Sequence, residues 1–202
     1  NNQNSKQEGY QLTDFKFKSL STRNLQMTFD HKRIFQHPLN TKINTNEKVG
    51  IYGQSGSGKS TLLKIISGQI QNYQGSIRLN NIEEKEISYD SLRQTAIYID
   101  QTPYLFDDTV LYNLTLGENF PSEQINKVLE KIDLVDFVNQ LPQGLNTQIG
   151  EGGASLSGGQ KQRLALARGL LRKKSLFLFD ESTSNLDKKT ALKVENDFLK
   201  QK

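Results

Sequence analysis

Three features of the sequence predict an α/β fold. Strand-like and helix-like segments alternate along the chain, the apolar residues near the start follow a period of two, and the period becomes helical between Thr109 and Leu141. The architecture expected is a mostly parallel sheet core with an N-terminal antiparallel β region and an inserted helical subdomain at about residues 102–161. Leu, Ile, Val and Phe supply 56 of the 202 residues. That is above the roughly 20% below which chains stay disordered, and the length suits one well-buried domain.

Asn1 to Gly9 is polar and aperiodic and reads as a linker, so the folded domain is expected over residues 10–202. Phe15 and Phe17, then Leu25, Met27 and Phe29, alternate with polar residues as half-buried antiparallel strands do. Lys48–Tyr52 reads as a short strand entering a Gly-rich loop, and Lys59–Ser67 as the helix after it. Ser76–Leu79 and Ala96–Ile99 are further strand candidates. Ile125, Val128, Leu129 and Ile132 fall on one helical face, with Pro121 and Ser122 marking its start. Gly144–Gly153 reads as loop, Ser157–Leu171 as helix, Leu176–Phe179 as a buried strand and Lys188–Lys202 as a final helix. No internal repeat and no heptad pattern is present.

The formal net charge is +4, the pI about 9.1 and the mean hydropathy −0.64. This describes a polar, mildly basic surface without the dense Lys/Arg stripe of a nucleic-acid binder, so no nucleic-acid partner is expected. Zero Cys excludes disulfides, thiolate zinc sites and cysteine nucleophiles. No run of 18 apolar residues and no signal peptide is found, and the expectation is a soluble domain.

Two segments carry chemistry. Gly53-Gln54-Ser55-Gly56-Ser57-Gly58-Lys59-Ser60 fits G-x-x-x-x-G-K-[ST] between a predicted strand and a predicted helix. Glycines there let the backbone approach a polyphosphate, and the helix adds the positive end of its dipole. Lys59 would reach the β- and γ-phosphates, and the Ser60 hydroxyl would bind Mg²⁺. In the second segment, Leu176–Phe179 delivers Asp180 and Glu181 to the carboxyl end of a strand, where α/β sheets bind ligands. Asp180 can hold Mg²⁺ through water, and Glu181 is placed to act as general base toward an attacking water. A Gly/Ser loop can be an ordinary turn, and carboxylates after strands are common on surfaces. Each feature supplies what the other lacks.

A third segment, Leu156-Ser157-Gly158-Gly159-Gln160, opens a helix with small residues suited to an anion. Here the sequence resembles the ATP-binding cassette (ABC) family. These five residues match the family's signature motif, and Gly53–Ser60 and Leu176–Glu181 resemble its two Walker motifs. Ser184–Asp187 looks like its D-loop, Gln101 like its Q-loop glutamine, and Phe29 like the aromatic that stacks on adenine, although one core aromatic among ten Phe remains the other reading. The resemblance covers about Tyr10 to Lys202. Thr147–Gly153, Leu105-Phe106 and Tyr112–Leu114 are similar to exporter-type cassettes.

The resemblance implies a P-loop NTPase-like fold and a transport-coupled ATPase at the cytoplasmic face of a membrane, with ATP and Mg²⁺ as cofactors. It implies nucleotide contacts from Phe29, Gly53–Ser60 and Thr61, and from Ser157, Gly158, Gly159 and Gln160. Ser60, Gln101 and Asp180 would serve the metal, and Glu181 and Gln101 the chemistry. The implied partners are a second nucleotide-binding domain, paired head to tail, and the transmembrane domain of a transporter. The family's γ-phosphate His lies beyond its D-loop, whereas the two histidines here are His31 and His37. A C-terminally truncated fragment is therefore expected, in which ATP binding survives better than hydrolysis.

Other classes predict other features. A DNA-repair or chromosome-structure ATPase would place a coiled coil or zinc modules between Lys59 and Leu156, where neither heptads nor Cys occur. A translation-associated protein would carry two cassettes in one chain. An ATP-binding interaction module without turnover would bind nucleotide and release no phosphate.

Overall fold

The computed structural model describes residues 17–150 and 155–180. In chain order its strands and α-helices begin with β1 (Ser19–Gln26), β2 (Thr28–Phe29), β3 (Lys32–Arg33), β4 (Leu39–Asn44), α1 (Lys59–Ile66), β5 (Gln74–Leu79) and β6 (Ile82–Glu83). They continue with α2 (Tyr89–Thr95), β7 (Ala96–Ile99), β8 (Asp108–Thr109), α3 (Val110–Thr115), α4 (Ser122–Lys131), α5 (Val135–Gln140), β9 (Gln148–Ile149), α6 (Gly158–Leu171) and β10 (Leu176–Phe179). Two compact units result. One holds residues 17–98 and 174–180, the other residues 99–150 and 155–173.

In the first unit β4, β1, β5 and β6 form an antiparallel sheet in that order. Leu20 and Thr22 face inward while Arg23 faces water, the period of two that a half-buried strand requires. A bulge between Thr22 and Leu25 then resets the register, so that Leu25 pairs with Leu39 and the consecutive residues Leu25, Gln26 and Met27 are all buried. Gly75 sits against this bulge. A Cβ there would lie 2.3 Å from the Asn24 carbonyl oxygen, and its φ of +85° suits glycine. Helix α1 lays Leu63, Ile65 and Ile66 into the core. Its neighbours form two clusters: Leu25, Ile65, Ile77 and Ile87 belong to one, and Leu20, Leu63, Ile66 and Leu178 to the other. Strand β10 pairs with β7.

Two expectations fail here. Lys48–Tyr52 is not a strand, and Val49, Ile51 and Tyr52 are exposed. An extended segment counts as a strand only when a neighbouring strand takes its N–H and C=O groups in a regular ladder, and no strand is assigned to residues 48–52. Phe29 does not continue the inward alternation either. β2 and β3 form a two-residue hairpin whose turn residues, Asp30 (φ 48°) and His31 (φ 61°), both take left-handed conformations, and Phe29 stands beside that turn. In β10 only Leu178 is fully buried; its neighbours are half-buried. Helix α2 was not foreseen.

The second unit is mostly helical. α3 and α4 pack on α6. Ile125, Val128 and Leu129 of α4 are buried, Ile132 follows them inside, and Pro121 is the N-cap residue, as the period predicts. Gly144–Gly153 is less irregular than expected. A 3₁₀ turn at Gly144–Asn146 leads into β9, which pairs with β8, while residues 151–154 lie outside the described residues. Fully buried Asn113 of α3 ties down the loop before it. Its Nδ2 donates to the Phe106 carbonyl (2.9 Å) and the Thr109 carbonyl (3.0 Å), and its Oδ1 accepts from Phe106 N–H (2.8 Å) and Arg168 Nη2 (3.0 Å). Burial, with the Arg172 charge nearby, pushes the Arg168 guanidinium down to about 10, and it remains charged at neutral pH. The helix predicted at Lys188–Lys202 lies outside the described residues. No helix among the described residues is long and apolar enough to cross a membrane.

Candidate functional site

The Gly-rich segment forms a loop that runs into the N-terminus of α1. Gly56 (φ 79°) and Gly58 (φ 88°) take left-handed backbone conformations, and Gly58 is the N-cap residue, without a side chain to cap the helix. A Cβ on Gly58 would meet Ile34 Cγ2 at 2.6 Å and Phe35 Cε1 at 3.1 Å, so the loop is seated directly on two apolar side chains from the segment after β3. Ser57 N–H donates to the Gln54 carbonyl (3.2 Å), and Leu62 N–H donates to Gly58 (2.8 Å) as the first bond of the helix. The first turn carries no acidic residue. Lys59 Nζ folds back across the loop and donates to the carbonyls of Gly53 (2.9 Å) and Gln54 (3.0 Å). Gln54, Ser55 and Ser57 are exposed, and Thr61 is half-buried in the first turn. A helix N-terminus free of acidic side chains, with an ammonium held over the same loop, has the electrostatics that suit an anion.

Ser60 and Asp180 are 120 residues apart in sequence and adjacent in space: Ser60 Oγ donates to Asp180 Oδ1 at 2.9 Å. The Tyr98 hydroxyl donates to the other oxygen, Oδ2, at 2.7 Å. Asp180 is buried, with 7% of its surface exposed, and a carboxylate so placed needs such donors. The hydroxyl and the carboxylate are hard oxygen ligands at the edge of an anion site. Their chemistry fits part of a Mg²⁺ shell, a cation that takes one or two protein oxygens and completes its shell elsewhere.

The other candidate residues are placed as follows. Phe29 is 68% exposed, so its core reading fails. In the second unit, Ser157 caps α6 in a reciprocal capping box: its Oγ accepts from Gln160 N–H (3.2 Å), and Gln160 Oε1 accepts from Ser157 N–H (2.8 Å). Gly158 has open space where a Cβ would stand, and Gly159 is half-buried. Gln101 is exposed after β7, and its carbonyl accepts from Gln162 Nε2 at 3.1 Å. Glu181 and Ser184–Asp187 lie outside the described residues. Gly53–Thr61 thus meets Asp180 within the first unit, while Gln101 and Ser157–Gln160 belong to the second.

Sequence reasoning passed over Tyr98, Ile34 and Phe35. For Tyr98 there was a signal: a Tyr in an apolar strand one residue from its end needs a partner for its hydroxyl. The S-x-x-Q spacing at 157–160 likewise announces a capping box.

Residues 36–184 match the family model described as ABC transporter. The chain belongs to the ABC transporter family. This ABC chain is 39% identical over 188 residues to the lactococcin-A transport/processing ATP-binding protein LcnC of Lactococcus lactis subsp. lactis, covering 90% of the chain and 26% of that protein. It is 34% identical over 191 residues to the ATP-dependent lipid A-core flippase of Desulfotalea psychrophila, covering 94% of the chain and 33% of the flippase. Among solved structures, a bacterial Atm1-family ABC exporter with ATP bound superposes with a TM-score of 0.85 at 30% identity, over 94% of the chain and 33% of the exporter. The ABC chain has the P-loop NTPase-type α/β fold of that family, with its antiparallel N-terminal sheet. It spans about a third or less of the length of the curated relatives it matches.

Proposed function

We propose that this chain binds Mg-ATP at the Gly53–Thr61 loop and hydrolyses it as the motor of a membrane exporter, at the cytoplasmic face of the membrane. The observation that carries the proposal is the Ser60–Asp180 hydrogen bond beside a loop that holds Lys59 over its own carbonyls. It joins an anion-binding loop to a carboxylate that the sequence brings from the far end of the chain. Relatives named as an exporting ATP-binding protein and an ATP-dependent flippase, and an exporter structure with ATP bound, support the same reading.

In this reading the loop amides and the start of α1 receive the phosphates. Lys59 leaves its carbonyl partners to neutralise the β- and γ-phosphates, and Phe29, exposed beside its hairpin turn, stacks on adenine. Mg²⁺, which Ser60 and, through water, Asp180 would hold, would supply charge neutralisation at the phosphates. Glu181 takes a proton from the attacking water, whose oxygen bonds to the γ-phosphorus as the bond to the bridging oxygen breaks and ADP leaves with that electron pair. Ser157–Gln160 of a second cassette completes the donor set, so closure requires two chains. The helical subdomain at about 102–161 docks the transmembrane partner, and that partner selects the cargo.

Phosphate release by the purified chain tests this. Lys59→Ala should abolish both ATP binding and release. Glu181→Gln keeps size and hydrogen bonding, so it should keep ATP affinity and lose about 10²–10⁴-fold in turnover. Parent-level release from Glu181→Gln would place the base elsewhere.

A further inference from the structure

Asp180 accepts a hydrogen bond on each carboxylate oxygen, and the two donors come from different parts of the first unit. Ser60, on Oδ1, begins α1 and belongs to the loop already described. Tyr98, on Oδ2, belongs to β7, the strand paired with β10, whose last residue immediately precedes Asp180. The Tyr98 ring packs against the cluster of Leu20, Leu63, Ile66 and Leu178, and Lys64 Nζ lies 5.9 Å from its centre. The phenol is thus gripped along its ring and reaches the carboxylate only with its tip.

We infer that Tyr98 is a positioning residue for Asp180: its hydroxyl fixes Oδ2 so that Oδ1 stays turned toward Ser60 and the cation they share. A carboxyl group rotates easily about its terminal torsion, which is broad and roughly two-fold. Ser60 fixes only one of the two oxygens: its hydroxyl, with one donor and two lone pairs, can keep the bond to Asp180 Oδ1 while its oxygen faces a metal, but Oδ2 is left to another donor. Tyr98 supplies that donor, and two fixed oxygens set the plane of the carboxylate where one does not. Hydrogen bonds from outer partners orient metal ligands in this way, and losing one commonly costs 10–100-fold in metal affinity. The inference rests on the reading of Ser60 and Asp180 as the metal end of the site.

The test uses the full chain with a non-hydrolysable ATP analogue and Mn²⁺ as the probe, following loss of the free-ion electron paramagnetic resonance signal as Mn²⁺ binds. Tyr98→Phe keeps the packed ring and removes only the hydroxyl. It should raise the Mn²⁺ concentration for half-saturation about tenfold, while analogue affinity in EDTA stays at the parent value. Tyr98→Met, which fills the slot differently, should give the same Mn²⁺ shift. An unchanged Mn²⁺ requirement in Tyr98→Phe, with Asp180→Asn raising it, would overturn the inference and leave the site reading standing. An unchanged requirement in Asp180→Asn would overturn both. Metal-free affinity falling in step with Mn²⁺ affinity in both Tyr98 variants would show a merely structural role and also overturn it.

Discussion

Replacing Gly58 by Ala perturbs the loop in two separable ways. The residue has φ 88°, a left-handed conformation that costs an L-residue about 1–2 kcal/mol. Its new Cβ would also sit 2.6 Å from Ile34 Cγ2 and 3.1 Å from Phe35 Cε1. Phe35 is buried and Ile34 half-buried, so neither can simply swing into water, and overpacking of this kind costs about 1–3 kcal/mol. Gly56 supplies the control. Its φ is 79°, yet a Cβ there meets nothing within 4 Å. Gly56→Ala should therefore cost only the backbone strain, about 1–2 kcal/mol, and Gly58→Ala about 2–5 kcal/mol. In a chain of this size, thermal unfolding without nucleotide should drop by roughly 2–8 °C for the first and roughly 4–20 °C for the second. Ile34→Ala removes the clashing methyl, so combining it with Gly58→Ala should cost less than the two separate losses together. Equal losses at Gly56 and Gly58, or strict additivity with Ile34→Ala, would refute the seating of the loop on Ile34 and Phe35.

Phe29→Ala should leave unfolding free energy within about 0.5 kcal/mol of the parent, because the ring is exposed, while weakening ATP and ADP binding alike by about 1–3 kcal/mol; titration and denaturation of one sample read both. Burial, the hydrogen bond to Glu84 Oε2 (2.7 Å) and the charges of Glu84 and Glu83 push the Tyr73 phenol well above its ordinary value near 10. A raised folded-state value gives stability that is complete below pH 10 and lost as pH rises beyond it. The parent should lose up to about 1.4 kcal/mol per pH unit more than Tyr73→Phe above pH 10, measured by urea unfolding. Ser157→Ala breaks the capping box of α6 and should cost about 1 kcal/mol without nucleotide; a loss of nucleotide affinity only at chain concentrations that favour pairing would show its second role.

What could be read from the sequence is what depends on near neighbours. Helix α4 follows from Ile125, Val128, Leu129 and Ile132 at helical spacing, and α1 from Gly58 handing over to Lys59 and Ser60. α6 follows from Ser157 before an apolar stripe. The features that escaped are set by residues far apart in the chain. Phe29 continues an inward alternation on paper, but the bulge between Thr22 and Leu25 and the tight turn at Asp30 and His31 break that phase. Lys48–Tyr52 has a strand's composition, but composition does not decide which segments pair. Tyr98 and Asp180 are 82 residues apart, and Asn113 and Arg168 are 55 apart. Nothing local marks either pair. The phosphate loop was legible because its glycines, Lys59 and Ser60 are contiguous, whereas the donors that hold Asp180 are not.

The central claim, that the Gly53–Thr61 loop and Asp180 form one Mg-ATP site, is tested most directly by calorimetric titration of the chain with ATP, in Mg²⁺ and in EDTA, beside Lys59→Ala and Asp180→Asn. The account predicts one ATP per chain, binding tightened by Mg²⁺, no binding in Lys59→Ala, and binding indifferent to Mg²⁺ in Asp180→Asn. ATP binding that is undetectable at millimolar Mg-ATP, or equal in the parent and Lys59→Ala, would contradict it.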